Sequence, residues 1–263
     1  MNARVLALCN QKGGVGKTTS TFHLARAAVL EGLRVLVIDA DPQGNITTVL
    51  GDGISEDTAG LADALSDRSA ATLAQVIVPG IWDGLSVVPT TGETLGVARD
   101  ELVLSGAGRE SRLRRELENV RAEYDLILID CAPSLDQLTI NSLTAADAVV
   151  IITQSKLFSA NGIAKLLGTI DLVREHYNPA LEIAAFLVNQ HEARTIGGAH
   201  WADQISAAAE QRSVTVLAPP VPKRIVISDA MESTQGLDEW GSETRELVEI
   251  YEGYIRALME KGK

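Results

Sequence analysis

The sequence predicts an α/β fold in which a twisted, mainly parallel sheet carries helices on both faces. Short apolar runs alternate along the chain with longer segments of helical periodicity, which is the pattern of consecutive strand–helix–strand units. Several of these runs are apolar throughout, as expected for strands that are buried on both sides. A glycine-rich segment stands between the first apolar run and the first helical segment. These observations predict one α/β domain that spans residues 1–263.

Six apolar runs are predicted strands, and five other segments are predicted helices. The strands are predicted at residues 5–8, 35–38, 85–88, 126–129, 149–152 and 183–188. The helices are predicted at residues 18–31, 113–121, 161–175, 201–211 and about 239–261, and Gly32 is expected to end the first of them. The last helix is amphipathic, so we expect it to dock on the body of the domain. Residues 51–80 and 91–110 are rich in small and polar residues and are predicted loops with short surface helices.

Composition limits the classes of function. Aromatic residues make up only 4% of the chain, so the core must be built from Val, Ile, Leu and Ala. The net charge of −12 argues against wholesale attraction to DNA or to an anionic membrane, and any DNA contact must come from a local basic patch. No signal peptide or apolar run of membrane-spanning length is found, which predicts a cytoplasmic protein. Cys9 and Cys131 are expected to be buried, reduced thiols, and the histidines lack metal-ligand spacing.

The glycine-rich segment has the composition of a phosphate-binding loop. Its glycines allow the backbone to curl so that successive N–H groups point at phosphate oxygens. Lys17 is placed to reach the β- and γ-phosphates, and the Thr18 hydroxyl to bind Mg²⁺. The general pattern has a glycine at position 11, where this chain has Gln11, and Lys12 adds a second positive charge that one chain alone does not need. The whole loop consists of Lys12, Gly13, Gly14, Val15, Gly16, Lys17, Thr18 and Thr19.

Three acidic residues stand at the carboxyl ends of predicted strands. Asp130 follows the run at 126–129 and fits a carboxylate that holds Mg²⁺ through water. Asp39 and Asp41 flank one alanine, so the two-residue period of a strand directs both side chains toward the phosphates. Two carboxylates on one side are costly unless cations offset them, and Mg²⁺ with Lys12 and Lys17 would do so. The alternative is a pair of solvated loop acids.

Four segments in order carry a recognisable pattern: residues 10–19 (NQKGGVGKTT), 39–45 (DADPQGN), 127–134 (ILIDCAPS) and 138–147 (LTINSLTAAD). Together they closely resemble the ParA/Soj branch of the ParA/MinD ATPases. The resemblance implies a P-loop NTPase-like fold, ATP hydrolysis with Mg²⁺, and a homodimer that forms on ATP binding. It also implies that Asp41 positions or activates the attacking water and that Asp39 supports the metal shell. Lys12 is then the signature lysine that crosses a two-fold interface to the partner's nucleotide.

The segments that would contact the base and DNA are less regular. Asn189, at the end of a predicted strand, is a candidate to read the adenine edge, and Pro222 is a candidate to line the same pocket. An ordinary strand-end turn residue is the alternative for Asn189. The resemblance implies non-specific DNA binding by the ATP-bound dimer, for which Arg194, Lys223 and Arg224 are candidates. The basic run after Pro222 is shorter than is usual in the family, and solvated surface residues are the alternative.

The implied function is that of a nucleoid-associated partition ATPase that a ParB-type or analogous centromere-binding partner stimulates. One alternative with the same ATPase core is a protein that positions a protein cargo over the nucleoid. Another is a MinD-like regulator that cycles on a membrane, which the glutamate-rich C-terminal helix disfavours, so no membrane partner is expected. Because only four residues precede the first predicted strand, we expect a short form without an N-terminal DNA-reading domain.

Overall fold

The computed structural model describes residues 2–155, 159–193 and 195–260, and within them the chain forms a twisted sheet between two layers of helices. Eight strands lie in the order β3-β4-β2-β5-β1-β6-β7-β8, and all pairs are parallel except β3 with β4. The strands are β1 (Arg4–Cys9), β2 (Val35–Ala40), β3 (Val78–Pro79), β4 (Leu85–Val88), β5 (Leu126–Cys131), β6 (Ala148–Gln154), β7 (Glu182–Asn189) and β8 (Thr215–Val216). This architecture confirms the predicted fold class.

Twelve α-helices connect or flank these strands in the part of the chain that the structure describes. The first six are α1 (Lys17–Leu30), α2 (Asn45–Leu50), α3 (Leu61–Leu65), α4 (Leu73–Val76), α5 (Thr94–Leu104) and α6 (Arg112–Glu118). The other six are α7 (Gln137–Ala145), α8 (Ser159–His176), α9 (Ile196–Glu210), α10 (Ile225–Glu232), α11 (Leu237–Trp240) and α12 (Arg245–Glu260). No helix in these described ranges is both long and apolar enough to cross a membrane.

The two faces of the sheet bury separate hydrophobic clusters. Along β1, Val5 and Ala7 point into one cluster and Leu6 and Leu8 into the other, as the alternation of a strand requires. The first cluster is closed by α3 to α9, and the second by α1, α2 and α10 to α12. Every residue of β1, β2 and β5 is buried, which explains why these strands are apolar except at Arg4, Asp39 and Asp130.

Strand register brings three loops to one edge of the sheet. Leu8 of β1 pairs with Asp130 of β5, and Asp39 of β2 pairs with the same Asp130. Because these strands are parallel, the segments that follow Cys9, Ala40 and Cys131 all leave the sheet at its carboxyl edge. The predicted phosphate loop and the predicted acids therefore meet there.

The structure differs from the sequence-based prediction in several segments, of which two change the helical layers most. Residues 91–110, predicted as loop with short helices, contain the eleven-residue α5. Leu95, Ala98 and Leu102 line its buried side at helical spacing, and that packing stabilises the helix despite its polar flanks. The C-terminal segment is also not one helix from 239, because Gly241 takes a φ of 142° between α11 and α12. From Arg245 onward it is continuous and packs against α1.

Candidate functional site

The segment between β1 and α1 adopts the geometry of a phosphate-binding loop. Gly14 and Gly16 have φ values of 72° and 86°, which favour glycine over residues with a side chain. A β-carbon on Gly16 would also lie 2.0 Å from the Asn189 amide nitrogen, so both backbone and space exclude a larger residue. Helix α1 begins at Lys17 without a side-chain cap, which leaves the N–H groups of its first turn available to an anion.

Side chains from neighbouring strands hold this loop in place. The Gln154 Nε2 atom donates a hydrogen bond to the carbonyl of Gly14 at 2.9 Å. The Asn189 Nδ2 atom donates to the carbonyl of Val15 at 3.0 Å. Asn10 accepts a hydrogen bond from the backbone N–H of Lys12 at 2.9 Å. Two of these contacts use loop carbonyls and the third uses the Lys12 N–H, so they leave the N–H groups after Lys12 open to a ligand.

The two lysines of the loop lie in different environments. Lys17 is only 7% exposed, and its positive charge lies close enough to Asp130 to favour the ionised carboxylate. Lys12 is half-buried, and its ammonium forms no ion pair with any residue that the structure describes. Lys17 is thus held inside the site of its own chain, whereas the charge of Lys12 is not neutralised by a described residue and is partly accessible to solvent.

Asp130 is buried beneath the start of α1. One oxygen accepts a hydrogen bond from the Thr18 hydroxyl at 2.8 Å and the other from the Thr21 hydroxyl at 3.0 Å. Burial raises the pKa of Asp130 to about 6, although the Thr18 hydroxyl and the charge of Lys17 favour the ionised form. Sequence analysis did not single out Thr21, which lies one turn after Thr18 on the same helix and could have been found by that spacing.

Asp39 is fully buried and anchors the segment that follows β2. Its Oδ2 atom accepts hydrogen bonds from the Thr47 backbone N–H at 2.9 Å and hydroxyl at 2.6 Å, while Oδ1 accepts from the Asp41 N–H at 3.1 Å. Burial, followed by the nearby charge of Asp130, raises the pKa of Asp39 to about 8. Asp41 is 8% exposed and accepts the Gln43 N–H at 3.0 Å. The predicted roles of Asp39 in the metal shell and of Asp41 in placing water stay predictions.

The donor atoms present at this edge fit a magnesium–nucleotide complex. Thr18 and Asp130 offer the hydroxyl and carboxylate oxygens that Mg²⁺ prefers. A divalent cation would also offset the negative charge that Asp39 and Asp130 place on adjacent strands. Among the described residues, no cluster of three His, Cys, Asp or Glu side chains could hold a metal ion without further ligands. Mg²⁺ at this edge would therefore depend on the Thr18 hydroxyl and on phosphate oxygens.

The residues predicted to contact the base lie on adjoining segments. Asn189 is buried, and its amide is occupied by Val15 and by the Gln190 N–H. Pro222 is brought to the end of β7 by its bridge to His191, whose N–H donates to the Val221 carbonyl at 2.8 Å. The predicted adenine contacts of Asn189 and Pro222 stay predictions. What the structure adds is a bond between Asn189 and the loop.

The predicted DNA contacts are not equivalent. Lys223 is exposed and pairs with Glu192 at 2.5 Å, which neutralises part of its charge. Arg224 is exposed and forms no ion pair within the described ranges. Arg194 lies outside the described residues. The assignment of these three residues to DNA stays a prediction.

The parallel sheet, the glycine loop at its carboxyl edge and the Thr18–Asp130 pair define a P-loop NTPase-like protein. A family model described as an AAA domain matches residues 3–183. The chain is 40% identical over 238 residues to the chromosome partitioning protein ParA of Caulobacter vibrioides, with 86% of this chain and 87% of that protein covered. It is 38% identical over 227 residues to the sporulation initiation inhibitor protein Soj of Bacillus subtilis, with 86% and 87% covered. The chain belongs to the ParA/Soj family of partition ATPases.

One solved structure with the same fold is that of a nucleotide-bound protein. Cobyrinic acid a,c-diamide synthase from Mycobacterium smegmatis, solved with a bound ATP analogue and magnesium, is 31% identical and covers 99% of this chain. The match covers 96% of that chain with a TM-score of 0.81. Because one fold serves more than one activity, the family assignment rests on the sequence relatives and not on this likeness.

Proposed function

We propose that this chain is an ATP-dependent DNA-partition ATPase in which two copies close on a pair of nucleotides. ATP and Mg²⁺ bind at the loop, and the resulting homodimer holds DNA without sequence preference. A ParB-type partner then stimulates hydrolysis and releases the dimer. The observation that carries this proposal is the contrast between the buried Lys17 and the uncommitted Lys12 at the two ends of one loop.

The buried residues supply the groups that a single nucleotide needs. Lys17 and the free N–H groups of α1 bind phosphate oxygens and neutralise their charge. Mg²⁺, when bound, stabilises the charge that develops on the phosphates during transfer to water. Thr18 and Asp130 hold oxygens where that ion is needed. Asp41, on the same edge, orients the attacking water and accepts a hydrogen bond from it.

Lys12 supplies the link between two chains. A second cation is redundant for one triphosphate, but it can bind the phosphates of a facing copy across a two-fold axis. Each nucleotide is then held by both chains, so the dimer is favoured only while the γ-phosphate is present. Hydrolysis removes the charge that Lys12 binds and lets the copies separate.

DNA binding follows dimerisation in this scheme. Pairing two copies doubles a weak basic patch, so an attraction that is negligible in the monomer becomes significant in the ATP state. Reversing the charge of Lys223 and Arg224 together should weaken retention of the ATP-bound protein on DNA at low salt. The matched control is Arg68→Glu, which reverses an exposed arginine on the loop between α3 and α4 and should leave retention unchanged. Equal retention in the double variant would remove both residues from the DNA surface.

The C-terminal helix favours partition over cycling on a membrane. Helix α12 buries its apolar side, so these residues are not available to insert into lipid. They are Leu247, Ile250, Tyr251, Tyr254, Ile255 and Leu258.

The test of the whole proposal is ATP turnover by the full chain. It is measured alone, with DNA, with the product of the neighbouring gene as candidate partner, and with both. We expect slow turnover by the chain alone and marked stimulation only when DNA and the partner are present together. Full-rate turnover by the chain alone, or no release from DNA during hydrolysis, would contradict the proposed cycle.

A further inference from the structure

A second polar cavity lies at the opposite edge of the sheet. It has a volume of about 530 Å³ and is lined by the amino ends of β1, β6 and β7 together with parts of α6 and α7. The phosphate loop follows the carboxyl end of β1, so the length of that strand separates the two sites. The volume is in the range that holds a small organic molecule.

Arg4 is the most unusual residue of this cavity. Arg4 is only 9% exposed, and its Nε and Nη1 atoms are buried without a hydrogen-bond partner among the described residues. The guanidinium forms no ion pair with any residue of the described ranges. Burial lowers the pKa of Arg4, although the charges of Glu182 and Asp147 act in the opposite direction. An unpartnered buried guanidinium is costly, and most such groups in proteins have a partner.

A second unpartnered group lines the same cavity. The Thr144 hydroxyl is buried and has no hydrogen-bond partner among the described residues. A hydroxyl can donate to an anion as well as accept. Arg4 and Thr144 lie on different elements, 140 positions apart in sequence, and both offer unused hydrogen-bonding groups to one space.

The acidic residues around the cavity form no ion pair with Arg4 in the described part of the chain. Asp147 is already bound, because its Oδ2 atom accepts from the Val5 N–H at 2.8 Å and pairs with Arg121. Glu182 is exposed, and no ion pair joins it to Arg4 in the described part of the chain. Glu182 is open to solvent, while the Nε and Nη1 atoms of Arg4 are buried.

We propose that this cavity binds a small organic anion through a carboxylate or phosphate group, with Arg4 as its buried partner and Thr144 as a second donor. Arg114 lines the same cavity, is exposed and forms no ion pair with a described residue, so it supplies further positive charge at the entrance. Duplex DNA is a poor fit, because the exposed Glu118 and Glu182 repel a polyanion.

The test measures thermal stability of the full chain in phosphate, malonate or chloride at matched ionic strength. All samples contain ADP and Mg²⁺, so the loop at the other edge contributes equally to every variant. Phosphate or malonate should raise the melting temperature of the wild type over chloride, and the more effective of the two identifies the headgroup. Arg4→Met should lose this rise, and the control Arg99→Met, which alters an exposed ion pair on α5, should keep it.

Two further variants keep the test decisive. Thr144→Val should weaken the anion effect several-fold while preserving side-chain shape, and it carries the comparison if Arg4→Met does not fold. Glu182→Gln should strengthen the anion effect, because it removes a repelling charge. An equal rise in Arg4→Met and the wild type, or no rise with either anion in the wild type, would overturn the proposal. So would a loss of stability in Glu182→Gln that no anion restores, since Glu182 would then be the partner of Arg4.

Discussion

At the carboxyl edge of the sheet the buried carboxylates are bound by the protein itself, whereas at the amino edge a buried cation has no partner. Asp130 is held by Thr18 and Thr21, and Asp39 by Thr47. Within the described ranges, the Arg4 side chain forms no ion pair, and its buried Nε and Nη1 atoms have no hydrogen-bond partner. The carboxyl edge is thus prearranged for a ligand that binds its open N–H groups and lysines. On our proposal, the amino edge is completed when an anion binds to Arg4.

The difference shows where sequence patterns reveal a site. The phosphate loop occupies eight consecutive residues, so its chemistry can be read without the fold. The amino-edge cavity joins Arg4, Thr144 and Glu182, which only strand order brings together. In the sequence, Arg4 is a single charged residue directly before a predicted strand, and nothing in that pattern indicates a binding site.

The largest expected effect separates the two edges by activity. Lys17→Ala removes the buried cation that neutralises the phosphates, and we expect ATP turnover to fall about 10²- to 10³-fold. The melting temperature in the absence of nucleotide should change little. The control Lys165→Ala alters an exposed lysine on α8 and should keep full turnover. Near-normal turnover in Lys17→Ala would show that the loop acts without its buried lysine.

A change at the amino edge should instead lower stability and leave nucleotide binding nearly unchanged. Asp147→Ala leaves the Val5 N–H and Arg121 without their shared acceptor, so unfolding in urea should become easier by about 1–3 kcal/mol. ATP affinity should stay within twofold of the wild type once the protein is folded. Asp171→Ala, at an exposed ion pair, is the control and should cost little. A large loss of ATP affinity in Asp147→Ala would show that the two edges are coupled.

A smaller effect is expected from Gln154, whose side chain holds the phosphate-binding loop through the Gly14 carbonyl. Gln154→Ala removes the hydrogen bond to the Gly14 carbonyl and should weaken nucleotide binding by about 1 kcal/mol. Gln190→Ala removes only the 2.7 Å contact between the two glutamines and should have less effect. Isothermal titration with ADP and Mg²⁺ measures both. Equal losses in the two variants would mean that the pair, and not the Gly14 contact, positions the loop.

Sequence reasoning reached the fold class and the family because both depend on local patterns. The six predicted strands correspond to β1, β2 and β4 to β7, since each is a largely apolar run. It missed the helix α5, whose apolar spacing is diluted by small and charged residues, and it placed no helix at α10. It also could not find Gln154, because its hydrogen-bond partner Gly14 lies 140 positions away in the chain. Contacts across the sheet require the strand order, which no single motif contains.

The measurement that tests the central claim most directly is the mass of the protein in solution, by light scattering, with a non-hydrolysable ATP analogue and Mg²⁺. The wild type should have the mass of a dimer. Lys12→Ala should bind the analogue with its own loop intact and yet remain a monomer, while Lys165→Ala should dimerise as the wild type does. A Lys12→Ala protein that dimerises as fully as the wild type would contradict the proposal that this lysine binds the nucleotide of the facing chain.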